Sequence, residues 1–199
     1  RSRYLSIAMH RERFNDRVMA ELRGVIDEAG GSAFWDALAG KFFGMSFQEA
    51  DEFNARKGNQ FIADLMPKHP IYLDMLPESA RQVIGVPHPS GRAAMRMLEK
   101  EGFSFNGYID IFDGGPTVEA RIGEIRTVAD SKPGRVGSVD ASGGTPSIVA
   151  AHELADFRCC YGAVSEAETE AETETVGLDG EAAKTLRVAP GDAIRHVAR

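Results

Sequence analysis

The stretch His88-Pro89-Ser90-Gly91-Arg92-Ala93-Ala94-Met95-Arg96-Met97-Leu98-Glu99-Lys100-Glu101-Gly102-Phe103 decides how this 199-residue chain is read. From Ser90 to Lys100, Ala93, Ala94, Met97 and Leu98 recur at helical spacing, which predicts an inward-facing stripe closed by Gly102. From Phe103 the period changes to two. Tyr108, Asp110 and Phe112 alternate with Ile109 and Ile111, Asp113-Gly114-Gly115-Pro116 turns the chain, and Thr117 to Ile125 alternates again through Val118, Ala120 and Ile122. A helix that feeds a strand, a turn and a second strand is α/β material.

Upstream, Tyr4, Ile7 and Ala8 mark a helix over Ser2 to Met9, and Val18 to Ile26 reads as a strand. After a turn at Asp27 to Gly31, Ser32 stands where an N-cap belongs. Phe34, Leu38 and Phe42 then form an i, i+4, i+8 stripe, with Trp35 beside it and Gly44 as the stop. Ser46-Phe47-Gln48-Glu49 matches the capping box and predicts a helix to about Arg56, ended by Gly58. Phe61 to Met66 is a short apolar piece halted by Pro67 and Pro70, and Pro77 to Ile84 is a further short helix. Downstream, Ser131 to Thr145 is rich in glycine, serine and proline and is expected to be a linker. Strands are expected over Ser147 to Ala151, Phe157 to Val164 and Asp192 to Val197. The glutamate-rich repeat from Glu166 to Glu174 reads as a solvated loop or strand edge. The expected division is an α/β portion over residues 1–130, a linker over 131–146 and a small β-rich subdomain over 147–199.

A net charge of −7 argues against a general affinity for nucleic acid or an anionic membrane, because phosphate binding needs clustered cations. No apolar run approaches the ~20 residues that span a bilayer. The start, Arg1 to Met9, soon becomes His10-Arg11-Glu12-Arg13, too charged for a signal peptide. The only cysteines, Cys159 and Cys160, are adjacent, so a bridge between them is sterically poor. They read as small side chains on a strand in a reducing cytoplasm, and no residue spacing suggests a metal site. A hydrolase built on a histidine is set aside for want of a nucleophile motif, because Gly-x-Ser-x-Gly does not occur. The chain opens without methionine, inside a helix, which leads to the expectation of a fragment, a processed chain or a trimmed one.

The small-residue helix ending in Glu-Gly-Phe is similar to the last helix–strand unit of the GNAT acyltransferase superfamily. Its neighbours narrow this. Glu21-Leu22-Arg23-Gly24-Val25-Ile26-Asp27-Glu28, Phe34-Trp35, Met66-Pro67-Lys68-His69-Pro70-Ile71-Tyr72, Val83-Ile84-Gly85-Val86-Pro87-His88-Pro89 and Tyr108 to Thr117 occur in this order. The set resembles the arginine N-succinyltransferase family from Arg1 to about Arg126. The likeness is looser toward the C-terminus, where Leu186-Arg187-Val188-Ala189-Pro190-Gly191-Asp192 and the following strand fit. The resemblance implies an α/β (α+β) chain, the C-terminal part of a GNAT-like acyl-CoA N-acyltransferase fold, followed by the β-rich subdomain. It implies transfer of succinyl from succinyl-CoA, a co-substrate and not a permanently bound cofactor, to the α-amino group of L-arginine in arginine catabolism. It also implies His88 as the proton donor, although Pro87 intervenes after Val86. The family's glycine-rich CoA loop lies just before the segment matching Arg1-Ser2-Arg3-Tyr4. Residues for CoA are therefore expected upstream of Arg1, and an oligomer or association with an N-terminal polypeptide is expected with them.

The chemistry is consistent with those residues. An amine attacking a thioester must be neutral, the departing thiolate benefits from a proton, and a histidine serves either step near neutral pH. His88 also precedes a predicted helix start, whose partial positive charge favours the neutral ring. Asp110 and Asp113 are candidates for pairing with a guanidinium, although Asp113 before Gly-Gly is also an ordinary turn residue. His69 reads as a turn residue that can reach substrate. Lys68, Arg92 and Arg96 can attract the succinyl carboxylate or CoA phosphates, and His10, His152 and His196 lack supporting context. Two other readings stand beside the transferase: a non-catalytic binding or assembly module, and an ornithine-accepting N-succinyltransferase.

Overall fold

A computed structural model describes residues 1–140, 142–166 and 174–199. Most of the glutamate repeat lies outside the described residues. In chain order the elements begin with α1 (Ser2–Met9), β1 (Arg17–Glu21), α2 (Ala33–Ala37), α3 (Ala39–Phe43), α4 (Phe47–Lys57), α5 (Gln60–Leu65) and α6 (Glu78–Arg81). They continue with α7 (Arg92–Lys100), β2 (Ser104–Ile109), β3 (Pro116–Arg121), α8 (Arg126–Asp130), β4 (Lys132–Val139) and β5 (Thr145–Ala151). The last are β6 (Arg158–Glu166), β7 (Glu174–Leu178), α9 (Gly180–Leu186) and β8 (Ala193–Ala198). The class is α/β, as expected. The chain divides into two compact units, one of residues Val18–Ala120 and one of Arg1–Arg17 with Arg121–Arg199.

The unit over 18–120 is built on a three-stranded sheet in the order β1-β3-β2. β2 and β3 form the predicted antiparallel hairpin, with Phe105 opposite Val118 and Ile109 opposite Pro116. A bulge between these pairs breaks the alternation, and Gly107 there takes a φ of 88° that favours glycine. The helical layer corrects one reading. The single helix expected from Ser32 to Gly44 breaks at Leu38 (φ −120°, ψ −88°) into α2 and α3. Trp35, Ala39 and Phe43 pack together; of the expected stripe, Phe34 is buried as read, whereas Leu38 is half-buried and Phe42 is 48% exposed. The indole stacks on Phe43 at 5.5 Å and on Phe112 at 5.2 Å and donates from Nε1 to the Met45 carbonyl. Burying the largest side chain with its polar atom satisfied anchors this layer. α4 carries both halves of the predicted capping box, Ser46 with Glu49, and that pairing holds the Glu49 carboxyl below its ordinary range. α7 forms where predicted, but none of its residues is buried and Met97 is 66% exposed. Amphipathy selects the face available for burial, whereas burial itself needs a covering surface.

In the other unit, β4-β7-β6-β5-β8 close a barrel in which β4 and β7 run parallel. The Gly/Ser/Pro-rich stretch expected to be a linker over 131–146 is instead largely strand, since β4 pairs with both β7 and β8. Val136 places an apolar side chain in the barrel core, and tertiary pairing overrides the loop-like composition. Strand alternation gives the barrel two apolar faces. Val149, Ala151, Val164, Val176, Leu178 and Ile194 fill the interior with Ala182, Ala183 and Leu186 of α9, while Ile148, Ala150 and Val197 face out under Leu5 of α1. The adjacent cysteines divide between these faces, Cys160 against the interior cluster and Cys159 against the outer one. Burial pushes both thiols up, Cys160 to about 11 with help from the charges of Cys159, Asp179 and Glu181. α9 approaches β6 closely, because a Cβ at Gly162 would lie 2.6 Å from that of Ala182. Neither β7 nor α9 was expected from the sequence. Among the described residues no helix is long and apolar enough to cross a membrane.

Candidate functional site

Three segments far apart in sequence are laced together inside the unit over 18–120. The amide of His88 donates to the carbonyl of Arg23 at 2.8 Å, and the amide of Gly85 donates to the carbonyl of Gly114 at 2.7 Å. Asp113, 8% exposed, ties the third segment in: its Oδ2 accepts from the Gly24 amide and its Oδ1 from the Gly115 amide, both at 2.8 Å. The two glycines allow this approach. A Cβ on Gly24 would stand 2.3 Å from the Asp113 carbonyl oxygen, and one on Gly115 would stand 2.2 Å from that of Leu22. Sheet pairing continues into the lacing through the Leu22 amide, which donates to the Pro116 carbonyl at 3.0 Å.

Beside this lacing lies an open cleft of about 860 Å³, bordered by the carboxylates of Glu21, Asp51, Asp110 and Asp113, by Arg23, and by Phe47 and Phe112. Its lining carries more acidic than basic side chains, so it suits a cation with an apolar stem. Asp110 uses Oδ1 to accept from the Phe112 amide at 2.6 Å, and the Trp35–Phe112 stack fixes that loop from behind. His88 is not part of the lining. It is tethered to the cleft wall through Arg23, half-buried, at the N-cap of a 3-10 turn (Pro89–Gly91) that leads into α7. Its Nδ1 lies 2.7 Å from the Ser90 hydroxyl and 3.3 Å from the Ser90 amide nitrogen, which donates to it.

Two family descriptions match the chain: "Arginine N-succinyltransferase beta subunit" over residues 1–127 and its C-terminal domain over residues 132–198. The chain belongs to the arginine N-succinyltransferase beta subunit family. Among its relatives, the arginine N-succinyltransferase of Escherichia coli (strain 55989 / EAEC) is 43% identical over 199 residues, which is 99% of this chain and 56% of that protein. The enzyme of that name from Enterobacter sp. (strain 638) is 41% identical over the same shares. The solved structure of arginine/ornithine succinyltransferase subunit AI from Pseudomonas aeruginosa aligns with a TM-score of 0.80 and 37% identity, covering 98% of this chain and 55% of that one. The chain thus spans about half the length of the relatives it matches.

Within this succinyltransferase family member, three of the segments that carried the resemblance, those around Arg23, His88 and Asp113, are laced together, and His88, Asp110 and Asp113 fall in one unit. Asp113 spends both oxygens on backbone amides, whereas Asp110 has no described hydrogen bond at Oδ2. His69, Lys68, Arg92 and Arg96 are exposed. His10, His152 and His196 belong to the barrel-containing unit, where His10 accepts from the Leu154 amide and His152 Nε2 lies 2.7 Å from the Leu186 carbonyl. The sequence reading passed over Ser90, the Arg23 carbonyl and the cleft carboxylates Glu21 and Asp51. Ser90 carried a signal, a hydroxyl two residues after a histidine at a helix start; Asp51, on α4, carried none. Among the described residues no group of three or more His, Cys, Asp or Glu is placed to hold a metal ion.

Proposed function

We propose that this chain supplies the acceptor-binding and proton-handling part of an arginine N-succinyltransferase, which transfers succinyl from succinyl-CoA to the α-amino group of L-arginine. The observation that carries the reading is the lacing of the His88 turn to the Arg23 and Asp113 segments on the wall of an acidic cleft. In this reading the guanidinium enters the cleft against the Asp110 carboxylate, while Asp113 holds the wall in place. The C–N bond forms as the thioester C–S bond breaks, and net one proton passes from nitrogen to sulfur. In this reading His88 donates toward the oxygen or sulfur on which negative charge develops.

The chain is proposed to act together with a polypeptide equivalent to the part of its relatives that it does not span. Supporting this, the sheet of the unit over 18–120 has β1 and β2 at its edges, each paired only to β3 among the described residues, and Met19 on β1 is 63% exposed. A second acceptor, ornithine, is favoured by one observation: the structural relative is named for both arginine and ornithine. The test is succinyl-CoA-dependent acylation followed by thiol release. The chain alone is expected to turn over slowly. Supplied with the missing part, His88→Ala is expected to lower turnover by roughly 10²-fold or more. A near-wild-type rate for that variant, or robust turnover by the chain alone, would contradict the reading.

A further inference from the structure

His88 caps its helix through a ring nitrogen, where serine or aspartate oxygens usually serve. Two groups of Ser90 converge on that atom, Nδ1: the hydroxyl at 2.7 Å and the backbone amide at 3.3 Å. A backbone N–H can only donate, so the amide at 3.3 Å favours a lone pair on Nδ1 without fixing it; the shorter hydroxyl contact completes the selection, and in a neutral imidazole the proton then resides on Nε2. The hydroxyl, free to rotate, turns its hydrogen toward the same lone pair and shortens the contact. Ser90 has no other described hydrogen bond that competes for its hydroxyl. The turn itself is anchored from the other side by the His88 amide donating to the Arg23 carbonyl.

We propose that Ser90 is a positioning residue whose hydroxyl and amide hold His88 as the tautomer carrying its proton on Nε2. The inference rests on the proposed function for its chemical meaning. The ring then offers an N–H to negative charge developing on the thioester oxygen or sulfur, and in its neutral form Nε2 cannot remove a proton from the attacking amine. This gives the donor role that the family likeness implies for His88 a local structural cause. It also explains how an exposed serine in a turn bears on the reaction without touching substrate.

The tautomer is read directly from two-bond ¹⁵N–¹H correlations of the histidine rings in the 199-residue chain, above the titration of the ring. With five histidines in the chain, the His88 signals are assigned by their loss in His88→Gln. The expected result is an unprotonated Nδ1 in the wild type, a mixture of tautomers in Ser90→Ala, and a return to the wild-type pattern in Ser90→Thr. A protonated Nδ1 in the wild type, or an unchanged pattern in Ser90→Ala, overturns the proposal. In the active assembly, Ser90→Ala should lower kcat by about tenfold with KM for both substrates nearly unchanged, since only orientation is lost; an unaltered kcat also overturns it. The spectroscopic arm needs no turnover. If the tautomers behave as expected while His88→Ala stays active, the proposed function falls and the hydrogen-bond assignment stands.

Discussion

Replacing Asp113 with alanine removes the acceptor that joins the Gly24 and Gly115 amides, and the structure sets the size of the effect. Both bonds are 2.8 Å long and the residue is only 8% exposed, so water has little room to take the carboxylate's place. A buried donor left without a partner costs about 1–3 kcal/mol. Two such donors, sharing one site and relaxing together, give roughly 3 kcal/mol for Asp113→Ala. Asp113→Asn keeps one carbonyl acceptor and turns an amide N–H toward the other donor, so it should lose at least half as much. Trp35 provides the readout. It is the only tryptophan, fully buried, in the same unit, and stacked on Phe112 beside Asp113. At a urea slope of about 1.5 kcal/mol/M for a unit of this size, the fluorescence midpoint should fall by roughly 2 M. The Arg23 carbonyl adjoining Gly24 holds the His88 amide, so the tether of the turn should loosen as well. A midpoint for Asp113→Ala within roughly 0.3 M of wild type, at unchanged slope, would refute the claim that this carboxylate laces the site.

Two further outcomes concern the barrel-containing unit. Gly162→Ala places a methyl 2.6 Å from the Ala182 Cβ and must push α9 away from β6, at an expected cost of about 1–3 kcal/mol; thermal unfolding followed by far-UV circular dichroism checks it, and an unchanged Tm would show that α9 yields freely. Cys160, with its thiol pushed up to about 11, holds almost no thiolate at pH 8, so alkylation should run on the order of a hundredfold slower than for a free cysteine and rise steeply as pH approaches 11. Alkylation by iodoacetamide, followed by peptide mass spectrometry, measures it; a rate at pH 8 matching free cysteine would contradict the burial of that side chain.

Where local chemistry suffices, the residues announce the structure. The Ser46–Glu49 capping box and the Asp113-Gly-Gly turn each satisfy their backbone groups within a few residues, and each forms as read. Asp113 was legible as a turn residue for the same reason: one of its two bonds, to Gly115, is local. Its other bond, to Gly24, spans 89 positions and has no local trace. The same limit explains why the expected stripe holds at Phe34 and fails at Phe42. Phe34 is buried as its periodicity suggests, but the break at Leu38 turns the chain so that Ala39 and Phe43 pack with Trp35 while Phe42 is exposed.

The sequence by itself determined the α/β class, the hairpin after α7, and the strands β5, β6 and β8, because periodicity and caps are properties of neighbours along the chain. The tertiary structure alone decided that β4 closes a barrel where composition suggested a linker, that Gly24 and Gly115 let three segments meet around Asp113, and that Ser90 faces Nδ1 of His88. Pairing partners, close backbone approach and the direction of a ring nitrogen depend on what lies across space, and no local pattern encodes them.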